Sequence, residues 1–148
     1  MLCVFLSAFM VSQASGTDNT NNNGNMINNA DSIAYKQKVN GIYFLSIIDL
    51  IAHPELYDGK KVNIIGYMHL EFEGNILYLS KEDCTREISK NGIWLELNFS
   101  KYYSNSKRNP GKNDSYVLIE GIFDGKSNGH LGCCSGTIKD ITRLEAWR

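Results

Sequence analysis

The sequence predicts a mainly β domain: a small five-stranded barrel led by one short α-helix. Three observations carry this. From Val62 onward, apolar residues repeatedly fall on alternate positions, the period of a half-buried strand. Turn and loop signals, among them Glu73-Gly74-Asn75, Asn109-Pro110-Gly111 and Gly125 to Gly129, cut that pattern into five short segments. Only one stretch ahead of them, Ile47, Leu50 and Ile51, has apolar residues at clear helical spacing.

The chain begins with an apolar run from Met1 to Val11, followed by Ser12-Gln13-Ala14. The run is too short to span a bilayer, which takes about 20 residues. It suits the hydrophobic part of a secretory signal, with Ser12 and Ala14 as the small residues before a cleavage point. No Lys or Arg precedes the run, so a longer signal and a weak one both stay open. Cys3 makes no lipobox in this frame. The expectation is a signal-like segment over 1–14 and a periplasmic or secreted protein. The alternative is a frayed apolar tail on a cytoplasmic one. An Asn-rich linker over 15–41 follows; its core section, 16–32, holds almost nothing that could enter a core and should stay disordered. The folded domain is then 42–148.

Within that domain Ser46 and Asp49 have capping-box spacing, and Pro54 discourages helix at His53. A helix of about two turns near 46–53 follows. Asp58-Gly59 marks a turn. Val62, Ile64, Gly66, Met68, Leu70 and Phe72 then alternate with Asn63, Ile65, Tyr67, His69 and Glu71, the clearest strand in the chain. Val62, Ile64, Met68 and Leu70 should face inward, and Asn63, Tyr67 and Glu71 outward. Gly66 marks a bend or bulge. Ile76 to Leu79 is the second strand, and a polar connection runs from Lys81 to Asn91. Ile93, Leu95, Leu97 and Phe99 define the third strand, and Val117, Ile119, Gly121 and Phe123 the fourth. The segment Leu131 to Leu144 fits a helix by the spacing of Ile138, Ile141 and Leu144. Its β-branched content and Gly136 favour a strand with a bulge, the reading preferred here.

Sheets this small tend to close on themselves, and a five-stranded Greek-key barrel of the OB type is the natural candidate. The stretch Pro54-Glu-Leu-Tyr57-Asp-Gly59-Lys-Lys-Val62-Asn-Ile64-Ile-Gly66-Tyr67 resembles the approach to the first strand in small uncharacterised bacterial OB-fold proteins. Residues 72–80 and 135–145 are similar to other segments of such proteins, so the resemblance covers about 42–148. It implies the fold and no transferable activity.

Fifteen basic and sixteen acidic side chains leave a formal net charge of −1, which disfavours nucleic acid as a partner. Basic clusters occur only as the pairs Lys60-Lys61 and Lys107-Arg108. After removal of the leader three cysteines remain, Cys84, Cys133 and Cys134, an odd number that makes no disulfide scaffold. The common nucleophile, phosphate-loop, zincin and Cys-x-x-Cys motifs are absent from the sequence. No catalytic residue and no cofactor is assigned.

Four groups of residues carry some chemistry. His130 with Cys133 and Cys134, completed by Cys84 or His69, could hold a soft metal. Adjacent cysteines on a strand point to opposite faces, however, and paired ligands occur at one place only, so no metal is assigned. Glu71 and Glu73 would lie about 7 Å apart on one strand face, a glycosidase-like separation, but beside a turn where exposed carboxylates are common. Cys84 sits among Glu82, Asp83 and Arg86 with no evident base, the setting of a bystander thiol. The outward face of the early strands, with Ile65, Tyr67, His69, Tyr78 and Trp94, offers rings that could stack on a base or sugar, or could equally be covered. The candidate ligand-binding residues are therefore Tyr67, His69, Tyr78 and Trp94. The function expected is a non-catalytic exported binding module for an unknown ligand. The alternative is an adaptor or inhibitor-like protein that engages a protein partner through an edge strand or through loops 100–115 and 125–130.

Overall fold

The computed structural model describes residues 38–97 and 113–148. The signal-like segment, the linker up to residue 37, the end of the third predicted strand and most of the 100–115 loop lie outside the described residues. Seven strands are described: β1 (Lys38–Val39), β2 (Ile42–Phe44), β3 (Lys61–His69), β4 (Ile76–Tyr78), β5 (Gly92–Leu95), β6 (Ser115–Asp124) and β7 (Thr137–Ala146). Three short helices accompany them: α1 (Ile47–Ala52), α2 (Pro54–Tyr57) and α3 (Lys81–Thr85).

The last five strands form a closed barrel in the order β3-β4-β5-β7-β6, with β6 returning against β3. Four junctions are antiparallel, and β5 runs parallel to β7. This is the OB-type Greek-key arrangement, as the strand count led one to expect. β1 and β2 extend the sheet beyond β3, with β2 parallel to it. A strand pairing lies inside the predicted 15–41 linker: Lys38–Val39 pairs back on Ile42–Phe44 through a turn at Asn40 and Gly41, both at positive φ.

α1 starts where its cap predicts. The Ser46 hydroxyl accepts from the Asp49 amide, and the Asp49 carboxylate accepts from the Ser46 amide at 2.8 Å. Six residues are too few for a helix to persist alone, so burial of Ile47 and Leu50 in the barrel core holds it. The core is aliphatic: Val62, Ile64, Met68, Leu77, Ile93, Leu95, Val117, Ile119 and Ile138 are fully buried, with Phe123 the largest among them. Each alternates along its strand as period two requires.

Gly66 carries no bulge, because its pairing with Val117 is in regular register. Its role is close approach: a Cβ there would lie 2.7 Å from Ile47 and Leu77 side chains and 2.8 Å from the Tyr78 carbonyl. Nor is Gly136 the bulge of the last strand. The register breaks opposite Gly121, where β6 steps from Glu120 to Ile122 while β7 steps from Arg143 to Lys139. Asp140, at φ 50°, takes up the extra chain.

Three further expectations need correction. β3 ends at His69 rather than running to Phe72, because Asn113 takes over the ladder: its side chain accepts from the Leu70 amide at 2.6 Å and donates to the Leu70 carbonyl at 3.0 Å. The 81–91 connection contains α3, capped by Ser80 and Asp83 at the same spacing as Ser46 and Asp49. Asn63 and Tyr67 point away from the barrel axis yet are buried, since β2 lies beside Asn63 and other groups cover Tyr67.

Candidate functional site

The outward faces of β3, β4 and β5 do bring Tyr67, Tyr78 and Trp94 together. Tyr67 lies directly opposite Tyr78, and Ile76 opposite Trp94. They form a second apolar cluster outside the barrel with Cys134, flanked by Cys84 and Cys133. The cluster is mostly closed to solvent: Tyr67 is 7% and Tyr78 6% exposed, while Trp94 is half-buried.

Two segments provide the cover. α3 docks through the Lys81 amide, which donates to the Tyr116 hydroxyl at 3.4 Å, and Tyr116 meets Tyr67 edge-on at 5.4 Å. Asp83 anchors the following turn by accepting from the Asn91 side chain at 2.9 Å and from Ser80. Those hydrogen bonds hold its carboxyl below the usual carboxylate range. On the other side, the loop from Gly125 to Gly136 folds over β5. Its Gly129, at φ 71°, lies so close to Trp94 that a Cβ would be 2.7 Å from the ring. His130 stacks on Trp94 at 6.4 Å between ring centroids. The Trp94 amide donates to the Gly136 carbonyl at 2.9 Å, and the Ser135 amide to that of Gly92 at 3.0 Å. Lys90 donates to the Gly132 carbonyl at 2.8 Å.

Burial dominates the electrostatics under this cover. It pushes the Tyr78 hydroxyl up to about 12, with the neighbouring thiols acting in the same direction. The Cys84 thiol is also raised, first by burial and then by the carboxylates of Asp114 and Glu71. Those acids are not its sequence neighbours: Glu82 pairs with Arg86 at 2.6 Å.

His69, the fourth candidate, sits at the rim, 2.5 Å from Asp114 and 3.7 Å from Glu71. Glu73 turns to a different histidine, His130, at 3.6 Å. The two glutamates follow the end of β3 and do not share a strand face, so the geometry assumed for an acid–base pair is not formed. Among the described residues no group of three or more His, Cys, Asp or Glu side chains is arranged to hold a metal ion. Cys133 and Cys134 lie in a turn ahead of β7 and not on a strand, so their side chains do not diverge: the sulfurs are 3.3 Å apart.

Sequence reasoning missed the two most exposed large apolar side chains of the described barrel. Phe72 is 93% exposed and Leu131 92%. They occupy the tips of the β3–β4 and β6–β7 loops, which the Glu73–His130 contact joins. Phe72 falls in the alternating pattern of the first long strand, where the same apolarity reads as core. Leu131 sits at φ 52°, a left-handed conformation that a leucine adopts at a cost. Neither burial nor backbone preference accounts for it there.

Among the described residues, no helix is long and apolar enough to cross a membrane. No protein-family model matches this chain, and no curated protein sequence matches it at a significant level.

Proposed function

We propose that this OB-type barrel is a non-catalytic binding module that engages a protein partner through the tips of its β3–β4 and β6–β7 loops, with Phe72 and Leu131 as apolar anchors. The observation that carries the reading is their near-complete exposure on two loops held together by Glu73 and His130. OB barrels present their first inter-strand loop and the loop before their last strand on the same side as the second and third strands, where ligands commonly bind. An apolar group held exposed in a strained conformation points to use rather than to packing. Glu71, Glu73 and Asp114 border the site, so a phosphate backbone would meet negative charge there. Direct stacking of a ligand on Tyr67 and Tyr78 is less favoured, because α3 and the 130–136 turn would first have to move aside.

The leading apolar run and Ser12-Gln13-Ala14 support export of this module, and its likeness to small bacterial OB-fold proteins fits that reading. Expressed in its own host, the mature protein should begin at or near Ser15 by N-terminal sequencing. Intact Met1 in a cytosolic fraction would overturn export without touching the binding site.

The binding test compares affinity capture from host extract by the wild type, by Phe72→Ser/Leu131→Ser and by Ile48→Ser, a control on exposed α1 surface. Loss of two interface anchors should weaken a specific partner at least tenfold, about 1.4 kcal/mol, with the control unchanged. A partner held equally by all three proteins would remove the loop tips as the site. Salt-sensitive capture of nucleic acid would remove the protein-partner reading.

A further inference from the structure

The turn between the 130–132 segment and β7 places two thiols side by side. Cys133 has right-handed helical backbone angles, and its amide donates to the His130 carbonyl at 3.2 Å. Cys134 follows with its amide donating to the Asn128 carbonyl at 3.0 Å. The bends bring both side chains to one side, with the sulfurs 3.3 Å apart. Cys134 is 1% exposed in the cluster with Tyr78 and Tyr67, whereas Cys133 is half-buried. Neither sulfur is bonded to Cys84. We propose that Cys133 and Cys134 form a redox-active vicinal dithiol, oxidised by small-molecule disulfides to a reversible Cys133–Cys134 disulfide.

The step balances as two exchanges. The Cys133 thiolate attacks one sulfur of the small disulfide, forming a mixed disulfide and releasing one thiolate, which takes up a proton. The Cys134 sulfur, after losing its own proton, attacks the Cys133 sulfur and expels the second thiolate, which is protonated in turn. Two protein thiols are oxidised, and one small disulfide is reduced to two thiols. The order follows from access, since Cys133 is partly exposed and Cys134 is buried. Burial first, and the neighbouring sulfur next, push the Cys134 thiol up to about 12, which makes it a poor first attacker and leaves it the second, intramolecular step. There the reacting partner is already in contact and a small thiolate fraction suffices.

Adjacent residues have Cα atoms about 3.8 Å apart, short of the roughly 4.4–6.8 Å range of ordinary disulfides. A bond between them is therefore strained and readily reduced, which fits a switchable pair better than a structural staple. The turn it would tighten begins at His130, the residue stacked on Trp94. This chemistry does not depend on what the loop tips bind.

The test is oxidation of the full chain by oxidised glutathione, followed by intact mass and peptide mapping. The wild type should lose about 2 Da within the peptide that contains both residues, and reduced glutathione in excess should reverse it. Cys134→Ser should instead accumulate a glutathione adduct of about 305 Da at Cys133. Cys133→Ser should leave Cys134 unmodified, and Cys84→Ser should behave as wild type. A stable glutathione adduct on wild-type Cys133, a disulfide that includes Cys84, or no reaction at either residue would each overturn the proposal. Should Cys134→Ser fail to fold by circular dichroism, the wild type and the Cys133→Ser variant still decide it, because Cys133 is only half-buried and the exchange is nearly isosteric.

Discussion

The barrel interior and the cluster outside it bury their residues for different reasons. Inside, Val62, Ile64, Leu77, Ile93, Val117 and Ile119 come from regular strands and pack in one hydrophobic cluster. Outside, Tyr67, Tyr78 and Trp94 come from the same strands, but loops distant in sequence close over them and bring thiols as well as apolar groups. The interior is set by local periodicity and is mostly aliphatic, with Phe123 and Tyr57 as its rings. The outer cluster contains hydroxyls and sulfurs whose ionised forms burial penalises. The first should therefore be the source of cooperative stability, and the second the more adjustable part of the molecule.

The largest expected effect comes from breaking the interior. Ile64→Ala should lower stability by about 2–5 kcal/mol in chemical denaturation, through lost burial and a cavity. Cys134→Ala, equally buried, removes only a small side chain and should cost about 1 kcal/mol. Equal losses would mean that the two clusters are one cooperative core.

Gly66 is where the two regions meet, its Cβ position hemmed in by the Ile47 and Leu77 side chains and by the Tyr78 carbonyl. Gly66→Ala should cost about 1–3 kcal/mol from overpacking, because the Tyr78 carbonyl belongs to the sheet and cannot swing away. A neutral result by thermal melting would show that β3 and β4 can separate locally.

Alkaline pH acts on the outer cluster through Cys134 and Tyr78. The folded state holds both protons up to about 12, above the ordinary range of a thiol or a phenol in the unfolded chain. The stability these groups contribute is fully present below about pH 9 and is lost as pH rises toward 12. Melting temperature should accordingly fall across that window, and Cys134→Ala should make the fall shallower. An identical slope in the variant would place the titration elsewhere.

The smallest effect on stability belongs to the loop tips. Phe72→Ser should stay within about 0.5 kcal/mol of wild type, since the ring is almost fully exposed. Leu131→Asn should be neutral or slightly stabilising, because asparagine takes the left-handed conformation at less cost. Substantial destabilisation by either change would show that these side chains pack in solution and are not free to bind.

Much of this was legible from residue order alone. The Ser46–Asp49 cap, the alternation through β3, and the apolar positions of β4, β5 and β6 are consequences of local sterics and strand period, so they survive in any tertiary setting. The same rule misled at Phe72, because a strand's length depends on its partners: Asn113, more than forty residues away, closes β3 by bonding Leu70. It was silent on α3, although Ser80 and Asp83 repeat the spacing of Ser46 and Asp49, because five residues are too few to show an apolar period.

By itself, then, the sequence determined the fold class, the barrel-lining residues and a nearly neutral charge. Those depend on each residue's own polarity and on neighbours a few positions away. Only the tertiary structure decided that Tyr67 and Tyr78 are covered, that Phe72 and Leu131 are bare, and that Cys133 and Cys134 touch. Exposure and proximity depend on which loop folds over which face. That choice is made by contacts such as Gly129 against Trp94 and Cys134 against Tyr78, between segments with no local relation in the chain.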